Sequence, residues 1–466
     1  MAKVLLLTLF KEQKNYQVGP PLGLLYLAAA LRDAGHQVSL LDLRARKETV
    51  DKHAETIAHL APDVVGLSVV IPEAGVLREA VRRIKLLAPR ARVVIGGPYA
   101  NSSTWEVLGV PDVDAVVRGE GELVLPRLVA AWQHGDNQPE LAGVGYPGVG
   151  LGPPPQPIEN LDALPQPMWE LAEFDTYYRQ PRHGYLYKHK KYFSVLTSRG
   201  CPYHCIFCQA LFGHRYRIRS AKSVVDEVEA LNRNHGIREI HFVDDCFNLD
   251  LARAKAICDD IVRRKIDVAI VFPAGLRADA MDRELIDKLA AAGAFKIPYG
   301  IETASPRLQK MLKKNVNLSK LRLIVDYTVE RGIIAQGFFM LGFPTETEAE
   351  VQETIRFAVD SKLHFATFNH VNVLPATELW DSAEKMGRTD GFDPSNCDYD
   401  DPPVALSEVP PSRMRALVRK AHFDFYVSPR RLWRIWRALP RKRHFFGLFG
   451  LFIGKLIWFG ARGKRR

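Results

Sequence analysis

The stretch that decides the fold reads Thr197-Ser198-Arg199-Gly200-Cys201-Pro202-Tyr203-His204-Cys205-Ile206-Phe207-Cys208. It follows the short apolar run Phe193-Ser194-Val195-Leu196, so the cysteines begin just after a predicted strand. Clustered cysteines in a chain with no disulfide framework indicate a metal site. Three thiolates in one short loop can bind one face of a metal centre and leave another position open.

A structural zinc site would need four protein ligands, and the cluster supplies three cysteines. His204 or His214 as the fourth ligand is the zinc alternative. The remaining cysteines, Cys246, Cys258 and Cys397, are scattered and have no partner at ligand spacing. A [4Fe–4S] cluster with three cysteine ligands and one open iron fits this count better than zinc.

The chain on either side of the cysteines predicts an α/β protein. Downstream, strands are predicted at Glu239–Val243, Val268–Phe272, Lys296–Tyr299, Ala335–Leu341 and Ala366–Val373. Helices are predicted between them at Ser223–His235, Leu251–Lys265, Arg283–Ala292 and Thr347–Ser361. About six strand-helix units are too few for an eight-unit barrel, so residues 190–375 are expected to form a partial barrel.

Upstream, residues 1–149 alternate β-branched strands with amphipathic helices, which predicts a doubly wound parallel sheet. Residues 143–167 are rich in Gly and Pro and show no helix or strand period, and residues 150–189 are predicted to be a linker. Four glycine-bearing loops fall at predicted strand ends, namely Val18–Gly23, Gly66–Ser68, Gly96–Tyr99 and Gly119–Glu122. Ligands bind at such ends in parallel sheets, so the loops predict a broad, flat ligand lying over the sheet edge.

The spacing Cys-x3-Cys-x2-Cys, with aromatic Phe207 before the third cysteine, resembles the signature of the radical S-adenosylmethionine (SAM) enzymes. In that family the open iron chelates the amino and carboxylate groups of SAM, and one electron cleaves the sulfonium to a 5′-deoxyadenosyl radical. The resemblance implies that Cys201, Cys205 and Cys208 bind a [4Fe–4S] cluster. The SAM contacts that it implies are Phe207, Asp245, Arg277, Glu302, Leu341 and Gly342.

The first domain resembles the cobalamin-binding domain of cobalamin-dependent radical SAM enzymes through its Pro20–Ala28, Gly96–Tyr99 and Arg118–Glu122 segments. The cobalamin contacts implied are Gly19, Pro21, Gly23, Ser68, Gly96, Gly97, Tyr99, Gly119, Glu120, Gly121 and Glu122. No Asp-x-His-x-x-Gly loop follows the first strand, and His53 is interpreted as a solvated helix residue. This leaves Tyr99 or Ser68 as candidates for the lower face of cobalt.

The basic charge is concentrated at the C-terminus, since residues 425–466 carry twelve Lys or Arg and no Asp or Glu. Residues 429–466 combine Trp433 and Trp436 with the apolar run Phe445–Gly460, which is shorter than the ~20 residues that cross a bilayer. This predicts attachment to a membrane surface. An ordinary core helix and a nucleic-acid-binding arm are the alternatives, and the apolar run argues against nucleic acid.

These features predict a cytoplasmic enzyme, peripheral at the inner face of the membrane, because no signal peptide is visible. The expected activity is methylation of an unactivated carbon in a hydrophobic substrate, such as a lipid or a tetrapyrrole, with flavodoxin or ferredoxin as reductant. The first alternative is oxidative cyclisation or ring rearrangement with the same cofactors. The second is a membrane-attached iron–sulfur electron-transfer or scaffold protein. No chemistry is assigned to the C-terminal extension, residues 376–428.

Overall fold

The computed structural model describes residues 1–12, 19–180, 186–393, 395, 404–442, 445, 447 and 450. The chain divides into two compact units. Unit 1 contains residues 1–183, 209–219 and 393–396, and unit 2 contains residues 184–208, 220–392 and 397–466.

Unit 1 is built on a mostly parallel sheet with the order β2-β1-β3-β4-β5-β6-β7. Its strands are β1 (Lys3–Thr8), β2 (Gln37–Asp42), β3 (Val64–Ser68), β4 (Arg92–Gly96), β5 (Ala115–Val117), β6 (Val144–Tyr146) and β7 (Gly150–Leu151). Strand β6 runs antiparallel to both of its neighbours, β5 and β7. Its helices are α1 (Leu22–Asp33), α2 (Leu43–Arg46), α3 (Ala54–Leu60), α4 (Ala74–Leu87), α5 (Pro98–Ser102), α6 (Thr104–Leu108), α7 (Val124–Gln133) and α8 (Phe174–Arg179).

Both faces of this sheet are buried, as the continuous apolar strands predict. Leu5 and Leu7 of β1 pack in one apolar cluster, and Val4 and Leu6 pack in another on the opposite face. The four glycine-bearing loops that are predicted to face a ligand follow the carboxyl ends of β1, β3, β4 and β5.

Unit 1 extends beyond the predicted boundary at residue 149 because the Gly- and Pro-rich segment packs against the sheet. Trp169 and Tyr177 in this segment are buried. The Tyr177 hydroxyl donates a hydrogen bond of 2.7 Å to the buried carboxylate of Asp42 at the end of β2. The absence of a hydrophobic period made this segment look like a linker, whereas isolated apolar anchors hold it in place.

Unit 2 confirms the partial barrel, with a parallel six-stranded sheet in the order β15-β14-β13-β12-β11-β8. These strands are β8 (Tyr192–Val195), β11 (Glu239–Phe242), β12 (Ala269–Val271), β13 (Ala294–Glu302), β14 (Ile334–Leu341) and β15 (Phe365–His370). The short strand β9 (Ser198–Arg199) also belongs to unit 2, whereas the short strand β10 (Arg217–Ile218) belongs to unit 1. The helices are α9 (Ala221–His235), α10 (Leu251–Arg263), α11 (Arg283–Ala291), α12 (Pro306–Met311), α13 (Leu318–Glu330), α14 (Glu348–Asp360), α15 (Glu378–Lys385), α16 (Pro411–Tyr426) and α17 (Pro429–Ala438).

Successive side chains of β14 and β15 alternate between the two faces of the barrel sheet. Phe339 stacks on Phe368 with ring centroids 5.2 Å apart, and Phe368 meets Phe425 of α16 edge to face. This face is therefore covered by helices. Because successive side chains of a strand point to opposite faces, Phe338 and Met340 point to the barrel interior, where both are half-buried.

Helix α17 packs at the amino-terminal end of the barrel strands. Ile435 and Leu439 are buried against Ile334, the first residue of β14. Arg431, 2% exposed, donates hydrogen bonds to the carbonyl groups of Leu363, Phe425, Ala358, Val359 and Ser361. The inner face of α17 is therefore part of the protein core. In the part of the chain that the structure describes, no helix is long and apolar enough to span a bilayer, and most of the apolar run Phe445–Gly460 lies outside the described residues.

We predict that Arg431→Met destabilises the protein by roughly 2–4 kcal/mol, because several buried carbonyl groups lose a charged donor. The adjacent Arg430 is exposed, so Arg430→Met is the matched control and should change stability by less than about 0.5 kcal/mol. Denaturant unfolding of both variants measures the difference. Equal stability of the two variants would contradict the docking role of Arg431.

Candidate cofactor-binding site

The cysteine loop is fastened to the barrel sheet by a buried carboxylate. Asp244, 2% exposed, follows β11 and accepts three hydrogen bonds on Oδ1, from the Thr197 amide (3.0 Å), the Thr197 hydroxyl (2.7 Å) and the Ser198 hydroxyl (2.6 Å). Burial raises the pKa of Asp244, and the two hydroxyl donors oppose that rise. Arg253 of α10 donates to the Thr197 carbonyl at 3.0 Å and supplies a nearby positive charge. The start of the loop is therefore fixed by two neighbouring strand ends.

The three clustered cysteines lie near one another at this strand end. Cys201 and Cys205 are half-buried, and Cys208 is exposed. Burial raises the pKa of the Cys205 thiol, and the nearby Cys208 and Cys201 raise it further. The buried thiol of Cys246 donates a hydrogen bond to Cys201 and lowers the pKa of Cys201. No spacing in the sequence connects Cys246 with the cluster, because the contact depends on how β11 ends.

The donor set fits a multi-iron cluster better than a single metal ion. Among the described residues, no group of three or more His, Cys, Asp or Glu could hold one metal ion. A zinc ion would require its ligands to converge on a single point at about 2.3 Å. A [4Fe–4S] cluster is larger and takes a different thiolate on each iron, so thiols of one loop can remain further apart.

The predicted SAM contact Glu302 is held in an unusual backbone conformation at the end of β13. The register between β13 and β14 shifts between Gly300 and Glu302, and Glu302 has φ of +66°. A left-handed φ is uncommon for a residue with a side chain and persists only where the surroundings impose it. A methyl group at Gly300 would lie 2.9 Å from Oε1 of Glu302, so the glycine leaves room for the carboxylate.

Lys314 is the principal site residue that the sequence analysis missed. Its Nζ lies 3.1 Å from Oε1 of Glu302, and its side chain is 17% exposed. Burial by itself would lower the pKa of Lys314, but Glu302 and Cys205 outweigh burial and raise this pKa. Lys314 is therefore charged at neutral pH beside the cysteine loop. Two adjacent lysines after a short helix carry no motif, so no sequence signal distinguished it.

Arg277 joins the cysteine loop to the segment that contains Lys314. Its guanidinium lies 3.9 Å from the ring centroid of Tyr203, donates to the Asn315 carbonyl at 3.1 Å, and pairs with Asp279 at 2.9 Å. The expected cofactor contact is thus a cross-link between loops. Asp245, which is exposed, accepts a hydrogen bond from the Gly200 amide.

Phe207 of the cysteine loop and Gly342, which follows β14, are two further residues predicted to contact SAM. Phe207 packs against Phe343 with centroids 5.8 Å apart. Gly342 has φ of +103° with open space where a Cβ would stand, and its amide donates to Glu346 at 2.5 Å. Burial raises the pKa of Glu346 to about 7. The side chain of Leu341 is fully buried, and its carbonyl accepts a hydrogen bond from the Val371 amide.

In unit 1, the loops after β3 and β4 pack tightly. A methyl group at Gly97, where φ is +88°, would lie 2.9 Å from Oγ of Ser68. The Val69 amide donates to Gly96, and the Tyr99 amide donates to Val69, both at 3.0 Å. Pro21 and Gly23 begin α1, and Gly19 lies just before them; Val18 lies outside the described residues. Several predicted cobalamin contacts therefore share one edge of the sheet.

Several residues of the loop after β5 make packing contacts within unit 1. Glu120 forms a buried ion pair with Arg217 at 2.5 Å and accepts from the Ile158 amide. Gly119 accommodates Pro155 and Gly121 accommodates Leu27, since a methyl group at these positions would lie 2.8 and 3.0 Å from them. Glu122 is buried too.

The interpretation of His53 as solvated is wrong. His53 is 8% exposed, and its Nε2 lies 2.7 Å from Oε2 of Glu48. It lies at the end of a 3₁₀ turn, Val50–His53, directly before α3. The polar composition of this segment does not reveal the pairing with Glu48, which removes the imidazole ring of His53 from water.

Comparison with known proteins identifies the family. A B12 binding domain model matches residues 14–129, and a radical SAM superfamily model matches residues 195–358. An uncharacterised methyltransferase from Pyrococcus horikoshii is 32% identical over 418 residues, covering 88% of this chain and 89% of the relative. The chain belongs to the B12-binding radical SAM family. The cofactors of this B12-binding radical SAM enzyme are a [4Fe–4S] cluster, SAM and cobalamin.

Solved structures and further relatives agree with this family. A radical SAM methyltransferase, TsrM, from Kitasatospora setae, with cobalamin and a [4Fe–4S] cluster bound, is 25% identical with a TM-score of 0.70, covering 83% of this chain and 78% of TsrM. A hopanoid C-3 methylase from Methylococcus capsulatus is 27% identical, covering 67% of this chain and 59% of the methylase. An anaerobic magnesium-protoporphyrin IX monomethyl ester cyclase from Rubrivivax gelatinosus is 27% identical, covering 78% and 66%.

We predict that Asp244→Ala reduces the iron bound per chain after anaerobic reconstitution by at least half, because Thr197 and Ser198 lose a buried acceptor. The thermal midpoint should fall as well. Asp267→Ala is the control, since the Asp267 side chain is 76% exposed and pairs with Arg238 at the surface, away from the cysteine loop. Full iron binding by Asp244→Ala would show that the loop does not need this anchor.

Proposed function

We propose that this B12-binding radical SAM enzyme methylates an unactivated carbon of a hydrophobic substrate. The bound cofactors supply a 5′-deoxyadenosyl radical for hydrogen abstraction and a cobalt-borne methyl group. The observation that carries the proposal is the presence, in one chain, of a B12 domain and a three-cysteine barrel related over nearly its whole length to a methyltransferase.

The cluster, SAM and the substrate would each contact residues of unit 2. Cys201, Cys205 and Cys208 would hold the cluster, and Glu302 would accept a hydrogen bond from the amino group of SAM. Phe207, packed on Phe343, would lie beside the adenine. The half-buried Phe338 and Met340 face the barrel interior, where they would exclude water around an apolar substrate. Flavodoxin or ferredoxin would provide the electron.

The hydrophobic substrate class is supported by two relatives. One is named for a hopanoid and one for a magnesium porphyrin. The porphyrin relative is a cyclase, so oxidative ring closure without methyl transfer is the second candidate.

Incubation with SAM deuterated in its methyl group separates these candidates. Reconstituted enzyme, a reductant, and either a hopanoid-containing lipid extract or magnesium-protoporphyrin IX monomethyl ester would be analysed by mass spectrometry. We expect 5′-deoxyadenosine and a deuteromethylated product, and Cys205→Ala should form neither. A converted substrate without deuterium would identify a cyclase, and absence of 5′-deoxyadenosine under every condition would favour an electron-transfer or scaffold protein.

We also propose that the enzyme attaches to anionic membranes through the outer face of α17. Trp433 and Trp436 are 59% and 37% exposed and stack with centroids 5.0 Å apart. The exposed Arg430 and Arg437 lie on the same helix, and Lys442 follows it. Exposed tryptophans beside cations are suited to the headgroup region of an anionic bilayer. Such attachment would bring the enzyme to a membrane-resident substrate.

Vesicle sedimentation tests this attachment. The full chain should bind vesicles of phosphatidylglycerol and phosphatidylcholine more tightly than vesicles of phosphatidylcholine alone, and added salt should weaken the binding. We expect Trp433→Ala/Trp436→Ala to weaken the binding about tenfold. Trp105→Ala is the control, because Trp105 of unit 1 is 64% exposed and lies outside the basic segment. Equal binding by both variants would contradict the assignment to α17.

A further inference from the structure

The inner wall that β14 and β15 form in the barrel is partly apolar and partly polar. The register pairs Phe338 with Thr367 and Met340 with Asn369, and all four side chains are half-buried. Phe368, which lies between Thr367 and Asn369, packs against α16 on the outer face, so Thr367 and Asn369 point to the interior. Strand β15 lies at the edge of the six-stranded sheet. Its interior positions therefore border the opening of the partial barrel.

The two polar residues lie at the level of the predicted SAM contact on β13. Glu302 is in register with Phe339, and Phe339 is in register with Phe368. Along the strands, Thr367 and Asn369 are therefore one residue, about 3.3 Å, below and above the level of Glu302. A group bound between them would lie at the depth of the proposed SAM site.

An apolar floor closes the barrel interior below these positions. Ile334 and Phe365, the first residues of β14 and β15, pack with Ile435 and Leu439 of α17. Between this floor and the carboxyl ends, the interior positions of the two strands carry no ionisable side chain; they are Gln336, Phe338, Met340, Thr367 and Asn369. A ligand that reaches this wall from the carboxyl ends therefore meets neutral groups on both strands.

The polar groups of this wall are not used for hydrogen bonding within the described part of the chain. Oγ1 of Thr367 is buried and has no hydrogen-bond partner among the described residues. No hydrogen bond between described residues involves the side-chain amide of Asn369, which offers both donors and an acceptor. An unpaired buried polar group costs free energy, and most such groups in proteins have a partner. The unpaired groups beside the SAM level therefore favour a ligand that pairs with them.

We propose that Asn369, together with Thr367, binds a neutral oxygen function of the substrate, a hydroxyl or carbonyl group, while Phe338 and Met340 contact the hydrocarbon beside it. An amide can donate to or accept from such a group, and a χ1 rotation of about 120° turns the Thr367 hydroxyl without moving the backbone. A carboxylate or phosphate would find no compensating charge on this wall. The bound oxygen fixes which carbon faces the cofactors. This inference rests on the proposed methylation of a hydrophobic substrate and narrows that substrate to a hydrocarbon with a neutral oxygen function.

An isosteric replacement tests the unpaired hydroxyl without any substrate. Thr367→Val should leave the thermal midpoint of the reconstituted enzyme unchanged or raise it, because no hydrogen bond is lost. Thr354→Val is the matched control, since the buried Thr354 hydroxyl accepts from the Ala304 amide at 3.0 Å. The control should lower the midpoint by roughly 2–4 °C in scanning calorimetry. An equal fall in both variants would overturn the proposal, because Thr367 would then be a structural residue.

Two hopanoids that differ in one oxygen test the selectivity. Diplopterol carries a hydroxyl group, and diploptene is the hydrocarbon formed from it by loss of water. With SAM and a reductant, the reconstituted enzyme should form 5′-deoxyadenosine with a kcat/KM about tenfold or more higher for diplopterol than for diploptene. Asn369→Leu should lose this preference, mainly through a higher KM for diplopterol. Asn369→Ser, which keeps a hydrogen-bonding group, should retain part of it.

Iron content and thermal midpoint confirm that each Asn369 variant is folded and loaded. Equal kcat/KM for the two hopanoids with the wild-type enzyme would overturn the proposal, and so would an undiminished preference in Asn369→Leu. Formation of 5′-deoxyadenosine with neither hopanoid would instead refute hopanoids as substrates in the proposed function. The thermal midpoints of Thr367→Val and Thr354→Val would still decide whether the wall holds an unpaired hydroxyl.

Discussion

The attachment of the cysteine loop to two strand ends is the constraint on which the rest of the site depends. A loop with three thiols cannot present them in one arrangement unless its backbone is fixed, since each free residue would retain conformational entropy. Asp244 removes that freedom at the start of the loop by accepting three hydrogen bonds on one oxygen. Further along, contacts from Ile206 to Leu312 and from Tyr203 to Arg277 hold the loop to other elements of the same sheet edge.

Three acidic side chains around the loop each have a basic side chain nearby. Asp244 lies near Arg253, Asp279 pairs with Arg277, and Glu302 pairs with Lys314. An uncompensated buried charge costs several kcal/mol, which would be a large part of the stability of a domain. Two of these pairs also connect separate segments of the chain. Electrostatic compensation and the positioning of backbone are therefore achieved by the same side chains.

The sequence alone predicts the features that depend on residues close together along the chain. The cysteine spacing, the β13 terminus at Glu302 and the strand-helix alternation are each written within a few residues, and the fold class was confirmed. Contacts between distant segments were not predictable in this way. Lys314 reaches Glu302 only because Gln309 holds the intervening turn, and Cys246 reaches Cys201 only because of the way β11 ends. His53 was misjudged for a different reason, because its partner Glu48 is only five residues away and the polar composition does not reveal the turn that brings the two side chains together.

Helix α17 shows that an amphipathic pattern alone does not determine whether a helix packs in the protein core or lies on a membrane surface. Along α17, Arg431, Ile435 and Leu439 recur at helical spacing and are buried, whereas Trp433 and Trp436 are exposed. A composition-based interpretation treats every arginine as solvated, but Arg431 directs its charge to backbone carbonyl groups around the end of α14. This anchoring leaves the tryptophans with no role in the barrel core. The exposure of these two tryptophans on a helix that is held this firmly is the feature on which the proposed membrane attachment rests.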